Sequence, residues 1–180
     1  MNIQITYGSR YGSTMYYAKE FAALTGFPVQ SYNKITNIRD CDRIIHFGAL
    51  YAGGVLGLKE IASKLNPKAE LIIVTVGLAD VNDPANTDHI RDSIQKQLSG
   101  CTIADTKIYH LRGAIDYDKL SLKHQAMMAL LYAKAKRLPE SKKNAETKAM
   151  IDTYRKKVSF VSDAALRKLA DTIASMPENV

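Results

Sequence analysis

Short apolar runs alternate with helix-forming stretches along most of this chain, and this rhythm limits the folds open to it. Apolar runs bounded by turn residues predict strands at 2–7, 28–32, 42–50, 70–77 and 101–111. Hydrophobic residues at helical spacing predict helices at 13–24, 57–65, 86–98 and 162–174. Strands that alternate with helices predict an α/β fold, in which helices cover both faces of a doubly wound parallel sheet.

Length, cysteine content and the absence of long apolar runs place the chain among single-domain proteins of a reducing compartment. We expect residues 1–180 to form one domain with its own core. Cys41 and Cys101 form no CxxC pair, which argues against a disulfide framework or a zinc ribbon. No signal-peptide pattern opens the sequence, and no apolar run approaches the ~20 residues of a membrane-spanning helix. We therefore expect a cytoplasmic protein, soluble or peripheral to the inner face of the membrane.

The positive charge of the chain is concentrated in one segment. The net charge is +7, and residues 119–157 alone hold eleven Lys or Arg residues and three acidic residues. We predict a basic helical insertion there, at about 117–157, after the fifth strand. Its lysines are not interleaved with exposed aromatic residues, so we expect no nucleic-acid binding.

The loop after the first strand has the composition of a phosphate-binding loop. In doubly wound sheets, ligands bind beyond the carboxyl ends of the strands. A helix that begins in such a loop offers unpaired N–H groups and a partial positive charge to an anion. The loop lacks the Walker A and GxGxxG patterns, which favours a single terminal phosphate over a triphosphate or a dinucleotide. The candidate residues are Ser9, Arg10, Tyr11, Gly12, Ser13 and Thr14.

The stretch ITYGSRYGST, residues 5–14, resembles the flavodoxin signature. Thr6 departs from it, at a position that is usually apolar. The resemblance implies a flavodoxin-like sheet of five parallel strands in the order 2-1-3-4-5, with flavin mononucleotide (FMN) as the cofactor and its phosphate held by Ser9–Thr14. The alternative is an ordinary strand-to-helix turn whose Ser and Thr side chains cap the helix.

Two further loops fit the flavin ring that this resemblance implies. Tyr51 can stack on the ring, and the Gly53-Gly54 pair can place a backbone group near flavin N5; the alternative is a Gly-Gly turn with a surface tyrosine. The loop after the fourth strand can close over the ring edge through its backbone. The cofactor-binding candidates in these loops are Ala49, Leu50, Tyr51, Ala52, Gly53, Gly54, Val76, Gly77, Leu78 and Ala79.

Nearly the whole chain is also similar to a narrower group, the flavodoxin-domain proteins that include the menaquinone-dependent protoporphyrinogen oxidases. The flavin loop carries this similarity, together with residues 42–49, 109–120 and 158–163. The porphyrinogen-oxidising members have an Arg-Tyr-Gly stretch with a nearby His after the third strand. This chain has Tyr51-Ala52-Gly53-Gly54 there, so it departs from that pattern.

The insertion predicts a basic amphipathic helix at 120–138, followed by a polar connector at 139–148. The apolar stripe comprises Leu120, Met127, Leu131 and Leu138, widened by Met128, Leu130 and Tyr132. The helix can shape a substrate pocket beside the flavin, touch an anionic membrane surface through 119–138, dock an acidic partner, or simply pack on the core. Arg112, just past the fifth strand, can bind a substrate carboxylate or form a surface salt bridge.

Two functions follow from these patterns. The first is an FMN-dependent oxidoreductase that transfers electrons between an organic donor or NAD(P)H and a quinone or other acceptor, similar to the protoporphyrinogen oxidases. The second is a non-enzymatic electron-transfer protein that docks redox partners through its basic insertion. The cofactor would supply the chemistry, so we expect no catalytic residues. We expect no metal site, and we interpret His46 as a core histidine.

Overall fold

Five parallel strands form the main sheet of the protein. A computed structural model describes residues 1–51, 53–101, 105–143 and 145–177. The strands are β1 (Ile3–Gly8), β2 (Val29–Ser31), β3 (Arg43–Tyr51), β5 (Glu70–Gly77) and β6 (Asp105–Arg112). Their order is β2-β1-β3-β5-β6, so the predicted order of five parallel strands is confirmed. A short strand, β4 (Gly54–Val55), pairs antiparallel with the end of β3.

Within the described residues six α-helices accompany the strands, and capping residues set the starts of several of them. They are α1 (Ser13–Thr25), α2 (Leu58–Lys64), α3 (Pro84–Leu98), α4 (Leu122–Lys136), α5 (Ala145–Thr153) and α6 (Asp163–Ala174). Asp83 is the N-cap of α3, and its side chain accepts a hydrogen bond from the Ala85 N–H. Pro84 follows it in the first turn of the helix, where a proline is well tolerated. Ser162 caps α6 in the same way, by accepting from the Ala165 N–H.

The sheet separates two apolar cores, one on each face. Helices α1 and α6 cover one face, where Tyr17, Phe21 and Leu166 pack against β1, β3 and β5. Helices α2 and α3 cover the other face through Leu58, Ile61 and other apolar residues. The central strands β3 and β5 are buried on both faces, which explains their near-continuous apolar sequences.

The insertion forms a small unit with its own core. Strands β7 (Ala114–Asp116) and β8 (Lys157–Ser159) pair antiparallel at its base, and α4 and α5 lie between them in sequence. Its core contains Ile115, Tyr117, Leu120 and Met128. The ring of Tyr132 stacks on that of Tyr154, with 3.9 Å between the centroids.

Several local predictions require correction. The predicted polar connector at 139–148 was wrong in part, because α5 begins at Ala145 and a 3₁₀ turn occupies Glu140–Lys142. Leu130 does not widen the packed stripe of α4, because it is 74% exposed. The predicted fifth strand began at residue 101, whereas β6 begins at Asp105; residues 102–104 lie outside the described part of the chain.

Candidate functional site

A cavity of about 610 Å³ lies at the carboxyl edge of the main sheet. The loop after β1, the end of β3 and the end of β5 all reach it, so the structure brings together the three segments that the sequence predicts. Most of the residues predicted to bind the cofactor line it, namely Arg10, Tyr11, Ser13, Thr14, Ala49, Leu50, Tyr51, Gly53, Val76, Gly77, Leu78 and Ala79. Ser9, Gly12 and Gly54 lie beside these residues in sequence, and Ala52 is outside the described residues.

The predicted phosphate loop leads directly into α1. Gly12 holds a φ of 99°, which a residue with a side chain rarely adopts, and its N–H donates to Ser9 Oγ at 3.2 Å. No side chain of the described residues caps the amino end of α1. The first N–H groups of a helix have no partner within the helix. This end of the cavity can therefore hold an anion through backbone N–H groups, with the hydroxyls of Ser13 and Thr14 beside them.

The segment after β3 is a tight hairpin, and α3 holds it in place. Ala49, Leu50 and Tyr51 are the last residues of β3 itself, which extends one residue beyond the predicted strand at 42–50. The Ser93 hydroxyl donates to the Gly53 carbonyl at 2.5 Å. The Gln97 side-chain oxygen accepts from the Val55 N–H at 2.7 Å, and its amide nitrogen donates to the Val55 carbonyl at 3.3 Å. These contacts fix the backbone that forms one wall of the cavity.

The sheet also holds this hairpin, through a fully buried histidine. His46 Nε2 lies 2.9 Å from the Leu56 carbonyl, and its Nδ1 lies 2.8 Å from Thr6 Oγ1. Because a carbonyl only accepts, Nε2 carries the proton and the Thr6 hydroxyl donates to Nδ1. Burial lowers the pKa of His46 to about 4, which keeps the ring neutral at pH 7. Thr6, the departure from the flavodoxin signature, is thus the partner of this histidine.

Another part of the cavity wall approaches the loop between β1 and α1 closely at Gly113. A side-chain carbon at this position would lie 2.8 Å from Ser13 Oγ and 2.9 Å from a Val76 methyl group. The Gly113 N–H donates to the Gly77 carbonyl at 2.7 Å, which joins the ends of β5 and β6. A residue larger than glycine at 113 would therefore push on the loop that begins α1.

The insertion supplies the rest of the cavity wall. Met127, Met128 and Leu131 of α4 line the cavity, and Thr147 and Met150 contribute from α5. The sequence indicated that the insertion could shape a pocket, but not which of its residues would form the wall. The helical spacing of Met127, Met128 and Leu131 was the available signal, but it could not show what the stripe faces.

Arg10 and Tyr11 join the loop between β1 and α1 to α4. Arg10 Nη2 lies 2.6 Å from His124 Nε2, and the guanidinium carbon lies 5.1 Å from the centroid of the Tyr51 ring. The Tyr11 ring meets His124 edge-on, with 6.0 Å between the centroids. The Tyr51 hydroxyl lies 3.5 Å from Met127 Sδ. The amino end of α4 is therefore held over the cavity by residues that themselves line it.

Arg112, predicted to bind a substrate carboxylate, is the last residue of β6 and is not among the residues that line the cavity. Its guanidinium Nη2 donates to the Leu78 carbonyl at 2.9 Å, and its guanidinium carbon lies 3.7 Å from the centroid of the Phe160 ring. The Arg112 carbonyl accepts from the Tyr17 hydroxyl at 2.8 Å. These contacts tie β6 to the neighbouring segments around the cavity.

The cavity lining is mainly apolar. Among the described lining residues, Arg10 carries the only formal charge at neutral pH.

The described residues contain no cluster of three His, Cys, Asp or Glu side chains of the kind that holds a metal ion. In the same part of the chain, no helix is long and apolar enough to cross a membrane.

Among the solved structures that match this chain are two flavoproteins and an azoreductase, each with low sequence identity. A flavoprotein in complex with FMN from Lactobacillus acidophilus NCFM is 10% identical, with a TM-score of 0.44, and the match covers 59% of this chain and 92% of that chain. Oxidised flavodoxin 1 from Bacillus cereus is 12% identical, with a TM-score of 0.41, and the match covers 61% of this chain and 83% of that chain. An azoreductase from Bacillus anthracis str. Sterne is 7% identical, with a TM-score of 0.42, and the match covers 62% of this chain and 86% of that chain.

The sequence itself identifies the family. No curated protein matches the chain. Residues 4–142, however, match the flavodoxin domain family, and this range runs from β1 through the predicted phosphate loop and all five main strands into the insertion. The chain therefore belongs to the flavodoxin domain family.

Proposed function

We propose that this protein is an FMN-dependent oxidoreductase that transfers electrons between an organic donor or NAD(P)H and a quinone or other organic acceptor. The observation that carries the proposal is the cavity itself. It is lined by the uncapped amino end of α1, by the carboxyl ends of β3 and β5, and by α4 and α5 of the insertion. These three parts of the lining suit a phosphate, a planar ring and a small substrate, respectively.

The residues of this chain fit FMN at each part of the cofactor. The phosphate would lie against the N–H groups that open α1, with the hydroxyls of Ser9, Ser13 and Thr14 as donors. Ser9 Oγ already accepts from the Gly12 N–H, so its own proton is available for the anion. The ring would lie between Tyr51 and the backbone of 76–79. The apolar lining would exclude water from the ring.

FMN, when bound, supplies hydride and single-electron transfer, so the protein needs no nucleophile or acid of its own. The task of the chain is to position the partners. Met127, Leu131 and Met150 would hold a substrate against the exposed side of the ring, since they line the cavity on the side of the insertion. A cavity whose described lining has one charged side chain favours a substrate of low charge over one with several carboxylates, such as a porphyrinogen.

Removal of the hydroxyl groups of the loop from Ser9 to Thr14 tests whether this loop holds the FMN phosphate. FMN titration of the apoprotein, followed by quenching of flavin fluorescence, gives the dissociation constant. The triple variant Ser9→Ala, Ser13→Ala, Thr14→Ala loses charge-assisted hydrogen bonds, so we expect FMN affinity to fall at least about tenfold. The variant Ser99→Ala, which changes an exposed hydroxyl elsewhere, is the control. Unchanged affinity in the triple variant would show that this loop does not hold the phosphate.

A turnover assay separates the enzyme from an electron carrier. The FMN-loaded protein is mixed with NAD(P)H and a soluble quinone, and loss of NAD(P)H absorbance is recorded. We expect turnover, and we expect it to fall when the substrate wall is changed by Leu131→Gln while FMN affinity is retained. A protein that binds FMN, accepts electrons from a chemical reductant and turns over no small molecule would instead be the electron-transfer protein.

A further inference from the structure

The outer surface of α4 carries an apolar face that the fold leaves uncovered. Leu122 is 83% exposed and Leu130 is 74% exposed, the two largest values among the large hydrophobic side chains that the structure describes. Between and beyond them lie Ala126, Ala129 and Ala133. At 100° per residue, these five positions fall within about 100° of the helix circumference. They form one continuous strip, called the outer face below.

Positive charge borders this face on both sides. At the same helical pitch, Lys123 and Lys134 fall along one edge of the outer face and Lys136 along the other. All three are exposed, and α4 contains no Asp or Glu. A second cavity, of about 570 Å³, is lined by Leu122, Ala126 and Ala129 of this face and by the exposed side chains of Arg155 and Asp118, which carry opposite charges.

The outer face is distinct from the face that packs. Met127, Met128 and Leu131 lie on the opposite side of α4, against the cavity and the core of the insertion. Helix α4 is therefore apolar on two opposite sides, with lysines between them. Packing on the protein explains the inner side and leaves the exposure of Leu122 and Leu130 without a structural role.

From this arrangement we infer that the outer face of α4 docks the protein on an anionic lipid bilayer. Leu122 and Leu130 enter the acyl boundary, while the lysines contact lipid phosphates. Long lysine stems allow the ammonium groups to remain at the headgroups while the leucines are buried. The surrounding segment 119–157, with eleven basic and three acidic residues, adds attraction to a negative surface.

The chemistry of the face favours a bilayer over a protein partner. Protein interfaces concentrate their energy in aromatic and arginine side chains that fill pockets. The outer face has two leucines about 12 Å apart along the axis and only alanines among the positions between them on the strip. A fluid apolar layer beneath a charged surface fits such a strip without shape complementarity.

Docking would bring the cavity to the source of an apolar substrate. Leu131 lies 100° around the helix from Leu130, lines the cavity and is still 43% exposed, so the cavity wall reaches the surface within one turn of the outer face. A quinone dissolved in the bilayer would then have a short path to the cavity. This role rests on the proposed oxidoreductase function, whereas the docking itself does not require a flavin.

Vesicle sedimentation with purified full-length protein tests the inference. Vesicles of phosphatidylcholine alone are compared with vesicles that also contain phosphatidylglycerol. We expect binding to the anionic vesicles only, weaker at high salt because the charges are screened. Leu122→Glu and Leu130→Glu should each lower the partition coefficient at least about tenfold. The control is Leu24→Glu, which makes the same charge change at an exposed leucine of α1 (44% exposed) and should leave binding unchanged.

Two readouts separate the possible failures. FMN titration of the same variants should give wild-type affinity, because Leu122 and Leu130 do not line the cavity; loss of vesicle binding then concerns docking and not the cofactor site. Equal binding of the wild type and Leu122→Glu to anionic vesicles would overturn the inference. A dimer in sedimentation velocity that Leu130→Glu dissociates, without vesicle binding, would also overturn it by showing a second copy on this face.

Discussion

Thr6 and His46 illustrate how single residues can serve the site from inside the core. They stand directly opposite each other on β1 and β3 and are both fully buried. Their hydrogen bonds lead from the sheet to the Leu56 carbonyl, and so to the hairpin that carries Gly53 and Gly54. The sequence showed Thr6 only as a departure from the family signature, because a strand pattern does not reveal which side chains meet across strands.

Replacing Thr6 by valine should destabilise the fold. The change keeps the shape of the side chain and removes the hydroxyl, so His46 Nδ1 loses its donor in a fully buried position. An unsatisfied buried polar group costs about 1–3 kcal/mol, and we expect this loss in the free energy of unfolding measured with urea. Thr172→Val, at an exposed position of α6, is the matched control and should change stability by less than about 0.5 kcal/mol. A Thr6→Val variant as stable as the wild type would contradict the assigned hydrogen bond.

The hairpin of β3 and β4 shows at the scale of an element how one helix shapes the site. Gln97 of α3 satisfies both the N–H and the carbonyl of Val55, and Ser93 binds the carbonyl of Gly53. Helix α3 therefore fixes the wall of the cavity, although none of its residues was a predicted site residue. Sequence reasoning could place α3 beside the sheet, but not the polar side chains that reach across to the hairpin.

Replacing Gln97 by leucine should loosen this wall. The Val55 N–H would be left buried without its acceptor, so the hairpin should open more often and FMN should bind more weakly, by about threefold to thirtyfold. Hydrogen exchange at the Val55 amide measures the opening, and fluorescence titration measures the affinity. Gln95→Leu changes an exposed glutamine on the same helix and should alter neither quantity. Equal exchange rates in the two variants would show that Gln97 does not hold the hairpin.

At the scale of the whole molecule, two threonine–histidine pairs lie in the parallel sheet. Thr6 faces His46 across β1 and β3, and Thr75 faces His110 across β5 and β6, each with an oxygen to Nδ1 distance of 2.8 Å. Burial lowers the pKa of both histidines to about 4, and in His110 the charge of Arg91 adds to the effect. The folded protein therefore keeps both rings neutral at a pH where an unfolded chain would protonate them.

The free energy of unfolding should consequently decrease as the pH is lowered from 6.5 to 4. An unfolded histidine has a pKa of 6.5, so in this range the unfolded state binds more protons than the folded state, and acid favours unfolding. His46 alone should contribute about 3 kcal/mol to the loss. Urea unfolding at a series of pH values measures the slope. The double variant Thr6→Val, His46→Leu should show a shallower slope, and an unchanged slope would mean that His46 is not the group that titrates.

Most strand and helix positions could be predicted from the sequence because they depend on local patterns, whereas the order of the main strands followed from the resemblance to the flavodoxins. Each apolar run, each helix cap and the loop from Ser9 to Thr14 is a pattern of a few consecutive residues. The second apolar face of α4, the role of Gln97 and the position of Arg112 depended on contacts between distant segments. The charge of Arg112 could not show that its guanidinium donates to the Leu78 carbonyl and lies against the Phe160 ring. A residue type specifies which contacts a side chain can make, whereas the packing of the whole chain decides which of them it makes.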